Sequence, residues 1–126
     1  MLADSKAYSG FAVPDLAAAR EFYAGTLGLN VSELDDQSDL ITLHLAGGRN
    51  IVVYTKPDHS PATYTILNFP VVDVEGTVDG LIQRGVRFEQ YDGIEQDDKG
   101  INRGQGPLIA WFRDPAGNIL SIIEQD

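Results

Sequence analysis

Apolar residues recur along this chain with two periods, and the periods alternate. Between 16 and 27, Leu16, Ala19, Phe22, Tyr23 and Leu27 keep the three-to-four spacing of one helix face. Asp15 stands before them as an N-cap and Gly28 after them as a stop. Val74, Val78, Leu81 and Ile82 repeat the pattern between Asp73 and Gly85. Short runs rich in β-branched and aromatic residues surround both helices. One such run precedes each helix, 11–13 and 65–71. Three follow each: 30–34, 40–46 and 50–56, then 87–91, 108–113 and 118–124. The chain therefore reads as β-α-β-β-β twice over.

The turns AGGRN (46–50) and DPAGN (114–118) occupy corresponding places in the two halves. In the second, Asp114, Pro115 and Gly117 fill the first, second and fourth positions of a type I turn. KPDHSPAT (56–63), with two prolines, reads as a linker. This gives one α+β domain over 1–126, with a first unit at about 5–57 and a second at 64–126. Asp15 and Asp73 are 58 positions apart, whereas Ala46 and Asp114 are 68 apart. The second unit thus carries about ten extra residues, placed in DDKGINRGQG (97–106). Such a loop serves either as a lid or as a plain connection. It is no phosphate loop, because no GxxxxGK[ST] pattern opens a helix there.

Composition narrows the function classes. A chain of 126 residues with 43% hydrophobic content suits a single soluble domain. Its short apolar runs predict no transmembrane span. MLADSKAYSG lacks an apolar signal core, so a cytoplasmic protein is expected. Without cysteine there is neither a disulfide nor thiolate chemistry. The net charge of −10, partly clustered at 33–39 and 95–98, disfavours nucleic acid and anionic membranes as partners. It suits either a solvated acidic surface or attraction of a cationic small molecule.

VPDLAAAREFYAGTLGL, VVDV with its helix, and WFRDPAGNILSIIE together resemble the vicinal oxygen chelate superfamily. That group includes glyoxalase I, bleomycin-resistance proteins, fosfomycin-resistance enzymes and extradiol dioxygenases. The likeness rests on D-x-x-x-A-x-x-F-Y-x-x-x-L-G together with D-P-x-G-N, and it covers nearly the whole chain. It implies paired units whose sheets form an open-barrel cleft around a ligand, within a homodimer. It also implies a divalent metal held by His or Glu from the first and last strands of each unit.

Carried over one at a time, those ligand positions fall on Tyr8, on Leu67 or Ile66, on Val53, and on Ser121. None of these is a His, Asp or Glu, and a divalent ion takes three or four protein ligands. The resemblance therefore implies a member without the usual metal site, and no cofactor is called for. Two histidines remain. His59 lies in the linker beside Asp58 and is expected to be solvated. His44, by the turn alignment, faces the helix side. If the first turn is one residue shorter, parity flips and His44 and Tyr54 line the cavity instead.

The expected ligand-binding set is Tyr8, Val53, Leu67, Phe69, Ile109, Trp111, Arg113 and Ser121. Trp111 and Phe69 would stack on a ring, and Tyr8 and Ser121 would orient a ligand by hydrogen bonds. Arg113 pairs with a carboxylate or faces solvent. The competing reading is an ordinary core filling a small barrel. No histidine stands near Ser121 in the pattern, so no nucleophilic serine is read there. These features favour a metal-free small-molecule-binding protein that sequesters an aromatic or cationic compound such as an antibiotic. Two alternatives stay open. One is a lyase, isomerase or dioxygenase with a relocated metal or none; the other is a dimeric structural domain with a filled barrel.

Overall fold

The computed structural model describes residues 1–33, 39–104 and 106–126. Leu34, Asp35 and Asp36 of the expected second strand and acidic cluster lie outside the described residues, as does Gln105 of the long loop. The chain forms two compact units, Met1–His59 and Ser60–Asp126. Among the described residues, no helix is long and apolar enough to cross a membrane.

In the first unit, strand β1 (Ser9–Val13) leads into helix α1 (Leu16–Arg20). Asp15 caps α1 by accepting the Ala18 N–H at 3.1 Å. The sequence pattern predicts one uninterrupted helix, but the chain widens into a π-helical segment over Glu21–Thr26. The Leu27 N–H reaches back five residues to the Phe22 carbonyl at 2.9 Å. Tyr23 is fully buried there and meets the Phe11 ring at 5.7 Å. Strands β2 (Asn30–Glu33), β3 (Leu40–Leu45) and β4 (Arg49–Thr55) complete a sheet in the order β1-β4-β3-β2, with β1 parallel to β4. Val13, Ile41, Leu43, Ile51 and Val53 are buried with Ala19 and Tyr23, so this face of the sheet makes the core.

In the second unit, strand β5 (Thr65–Val71) precedes helix α2 (Val74–Gln83). Asp73 caps α2 through the Gly76 N–H at 2.9 Å. Strands β6 (Ile109–Arg113) and β7 (Ile119–Glu124) give a sheet in the order β5-β7-β6, with β5 parallel to β7. Val74, Val78, Ala110, Phe112, Leu120 and Ile122 form its core. The expected strand at 87–91 is reduced to a single bridge between Phe88 and Phe112. Gln96 explains why. Its side chain accepts the Tyr91 N–H at 2.7 Å and donates to the Glu89 carbonyl at 2.9 Å, using backbone groups that a longer ladder would need.

The long loop is cross-linked to its own unit. Asp97 Oδ1 accepts the Lys99 and Ile101 N–H groups at 2.9 Å each, and Oδ2 accepts from Arg103 Nε at 2.8 Å. Lys99 and Arg103 then reach Asp79 and Glu75 on α2, at 2.8 and 3.3 Å. Ile101 is fully buried beneath them. Desolvation raises the Asp97 pKa, but the Arg103 hydrogen bond and the two amides outweigh it and hold the carboxyl below its ordinary value.

The DPAGN turn is also built from inside. Asp114 Oδ1 accepts the Ala116 and Asn118 N–H groups at 2.9 Å, and Oδ2 accepts from Asn118 Nδ2 at 3.0 Å. Both Asp114 and Asn118 are buried. Gly117 has φ of 89°, a conformation that only glycine takes readily.

Candidate functional site

The ladder between β6 and β7 sorts the second sheet into two faces. Ala110 pairs with Ile122 and Phe112 with Leu120, and these four fill the core. Ile109 pairs with Ile123, Trp111 with Ser121 and Arg113 with Ile119 on the other face. The structure thus brings four expected residues together: Ile109, Trp111, Arg113 and Ser121.

Leu67 and Phe69 are not with them. A bulge between Thr65 and Leu67 sets Leu67 opposite Leu120 and Phe69 opposite Ile122, on the core face. The extra residue, Ile66, reverses the expected parity of everything after it. Asn68 takes the place beside Ser121 instead, and Ser121 Oγ donates to Asn68 Oδ1 at 2.5 Å. A polar residue in the middle of TILNFPV was the available signal for it.

Val53 is likewise on a core face, fully buried and paired with Phe11 and Ile41. The reason is a one-residue slip between the two hairpins. Thr42 pairs with Val52, as Trp111 pairs with Ser121, so the true offset is 69 rather than 68. The turns match at Gly48 and Gly117, both with positive φ, and not at Asn50 and Asn118. His44 and Tyr54 therefore share the face opposite α1 with Thr42 and Val52. Tyr8 lies one residue before β1 and is 72% exposed. His59, expected to be solvated, has its Nε2 buried without a hydrogen-bond partner among the described residues. The His59 N–H closes a turn onto the Lys56 carbonyl at 2.9 Å.

Two further residues belong with Trp111. The Tyr91 ring packs edge-on against the indole with centroids 5.6 Å apart. Its hydroxyl is buried and has no hydrogen-bond partner among the described residues. Burial pushes the Tyr91 pKa up, Glu89 adds to the rise, and Arg113 opposes it. Glu89 in turn holds Arg113, Oε1 to Nε at 2.5 Å, while Arg113 Nη1 donates to the Gly117 carbonyl at 3.2 Å. Tyr91 and Glu89 end the segment read as a plain strand, which hid their role.

The chemistry of this face is therefore an indole, a phenol, an amide with a bonded hydroxyl, and an ion-paired guanidinium. Among the described residues, no group of three or more His, Cys, Asp or Glu side chains stands together. The Ser121 hydroxyl is committed to Asn68 and the Glu89 carboxylate to Arg113. That donor set does not fit a divalent ion.

The described fold recurs widely among solved structures. A putative glyoxalase family protein from Bacillus anthracis matches over the whole of both chains, with 18% identity and a TM-score of 0.72. A superfamily member from Sphaerobacter thermophilus DSM 20745 has 22% identity and a TM-score of 0.67, covering 94% of this chain and 97% of its own. TnmS3, an antibiotic binding protein from Streptomyces sp. CB03234, has 20% identity and a TM-score of 0.68, covering 98% of each chain. No curated protein matches the chain in sequence. The family model of the Glyoxalase/Bleomycin resistance protein/Dioxygenase superfamily matches residues 7–122, nearly the full length. The chain belongs to that superfamily.

Proposed function

We propose that this protein binds a small aromatic molecule on the Trp111 face of its second unit, stoichiometrically and without a metal ion. The buried Tyr91 hydroxyl beside Trp111, without a hydrogen-bond partner among the described residues, carries this reading. Buried polar groups almost always find a partner, and a ligand acceptor would supply this one. The Trp111 indole is only half-buried and offers a surface for stacking. Asn68 spends its carbonyl oxygen on Ser121, which leaves its amide N–H groups to orient a ligand carbonyl or hydroxyl.

The expected ligand is a planar compound bearing acceptors, or a cationic one drawn by the acidic surface; an antibiotic would suit either description. The fold likeness to an antibiotic binding protein is consistent with sequestration as the mechanism. The protein would act as a cytoplasmic homodimer.

Trp111 is the only tryptophan in the chain, so its fluorescence reports the site directly. Titration with a panel of aromatic compounds and antibiotics should give saturable quenching, one ligand per chain, with a matching rise in melting temperature. Tyr91→Phe should weaken that binding by about fivefold, the worth of one ordinary hydrogen bond. A panel that moves neither fluorescence nor melting sinks the binding reading. Near-stoichiometric metal after dialysis without chelator sinks the metal-free part of it.

A further inference from the structure

The first unit carries a second polar arrangement, which involves none of the residues of the Trp111 face. Strands β2, β3 and β4 lie side by side, with Asn30 opposite His44 and His44 opposite Asn50. Ser32 stands two residues along β2 from Asn30, on the same face as His44. Its Oγ is 2.6 Å from His44 Nε2, and His44 Nδ1 is 3.2 Å from Asn50 Oδ1. One tautomer satisfies both contacts. The Asn50 carbonyl oxygen only accepts, so Nδ1 carries the proton and Nε2 accepts from the Ser32 hydroxyl. Ser32 and Asn50 are exposed and His44 is half-buried, so the hydroxyl is open to solvent while the imidazole is held. β2 is an edge strand of the described sheet.

A hydroxyl is a weak nucleophile until a base within about 2.6–3.2 Å can take its proton, and that base works best when a third group fixes its ring. Ser32, His44 and Asn50 meet both conditions, with separations of 2.6 and 3.2 Å. We propose that the first unit holds an acyl-accepting serine, with Ser32 as nucleophile, His44 as general base and Asn50 positioning the imidazole, and that activated esters are its substrate class. Ser32 Oγ attacks the ester carbonyl carbon as its proton passes to His44 Nε2. The bond to the leaving oxygen breaks, and His44 returns the proton to that oxygen. The products of this half are a free alcohol or phenol and an acyl-Ser32 ester. Water then attacks the acyl group with His44 again as base, releasing a carboxylic acid and restoring the hydroxyl. Ester and water are consumed, acid and alcohol are formed, and no other reactant is needed.

The sequence hid this arrangement because its members lie on three strands, 12 and 6 residues apart. The hairpin slip also turned His44 toward the wrong face.

The probe is 4-nitrophenyl acetate, with phenolate release read by absorbance and the acetyl group located by mass spectrometry. Trypsin cuts after Arg20 and Arg49, so fragmentation of the 21–49 peptide should place one acetyl group on Ser32. Ser32→Ala should abolish that adduct. His44→Ala should slow its formation by about 100-fold, the usual scale of a general base. Added imidazole should restore the rate in His44→Ala and not in Ser32→Ala. Asn50→Ala should slow acetylation several-fold, and Asn50→Asp, whose two oxygens both accept, should recover it. Ser32 and Asn50 lie at the surface and His44 is half-buried, and circular dichroism checks that each variant is folded. Acetylation confined to lysines, or Ser32 labelled as fast without His44 as with it, overturns the proposal.

Discussion

Asp114 shows how a short motif that marks a superfamily can be structural rather than chemical. Its carboxylate accepts three N–H groups within a buried turn, and two of them belong to Asn118. Replacing it with alanine would take the carboxylate away from all three N–H groups, two of them on the buried Asn118. The expected cost for Asp114→Ala is about 3 kcal/mol, since bonds to a charged acceptor and unsatisfied buried donors are both expensive. Asp114→Asn keeps an acceptor and should lose roughly half as much. Urea unfolding with an unchanged slope would measure both. Equal midpoints for wild type and Asp114→Ala would mean that the turn is held by Pro115 and Gly117 alone. Ser121 belongs beside it as the opposite case. There a buried hydroxyl is satisfied by a neighbouring amide, a neutral pair where Asp114 makes charged contacts.

At the level of elements, both helix starts and most strands were legible, the strand expected at 87–91 was not formed, and register was not legible. Asp15 and Asp73 marked both helix starts because a capping carboxylate is a local event, and each accepts from the N–H three residues on. Strand faces depend on a count over a whole hairpin. With a side-chain period of two, matching Asn50 to Asn118 instead of Gly48 to Gly117 turned Val53, His44 and Tyr54 to the wrong sides. The Ile66 bulge did the same to Leu67 and Phe69, and within TILNFPV only the polar Asn68 hints at it. The long loop was located by its excess length, but its order comes from Asp97, which composition reads only as surface charge. Because the folded pKa of Asp97 is depressed, its contribution is present above the ordinary value of 3.8 and is lost as pH falls through the folded value. The loop network should therefore weaken only below about that pH. Unfolding midpoints of wild type and Asp97→Asn should differ at pH 6 and converge as the medium is acidified toward pH 3 (roughly the range where the carboxyl protonates). A gap that stays constant over that range would show that the charge of Asp97 holds nothing.

Over the whole molecule, each unit packs one sheet face into its core and carries polar side chains on the other, Thr42 and His44 in the first and Arg113 and Ser121 in the second. Net charge is the property that bears on both units at once. Nineteen acidic residues against nine basic ones make −10, and the basic side chains placed in ion pairs, such as Lys56, Lys99, Arg103 and Arg113, sit close to their acidic partners. The unpaired acidic surplus repels itself in the compact state more than in the extended chain. Salt at about 0.1 M shortens the screening length to about 10 Å, which removes most of that long-range repulsion. Exposed pairs lose little in exchange, because each is worth at most about 1 kcal/mol to begin with. The urea midpoint should therefore rise when sodium chloride is added to a low-salt buffer, and most of the rise should be complete near 0.1–0.2 M, roughly where screening saturates. Sodium sulfate at equal ionic strength separates screening from exclusion effects, which keep growing with concentration. A midpoint that falls with added chloride would mean that the ion pairs outweigh the surplus, and the acidic surface would then have to be understood through what it attracts.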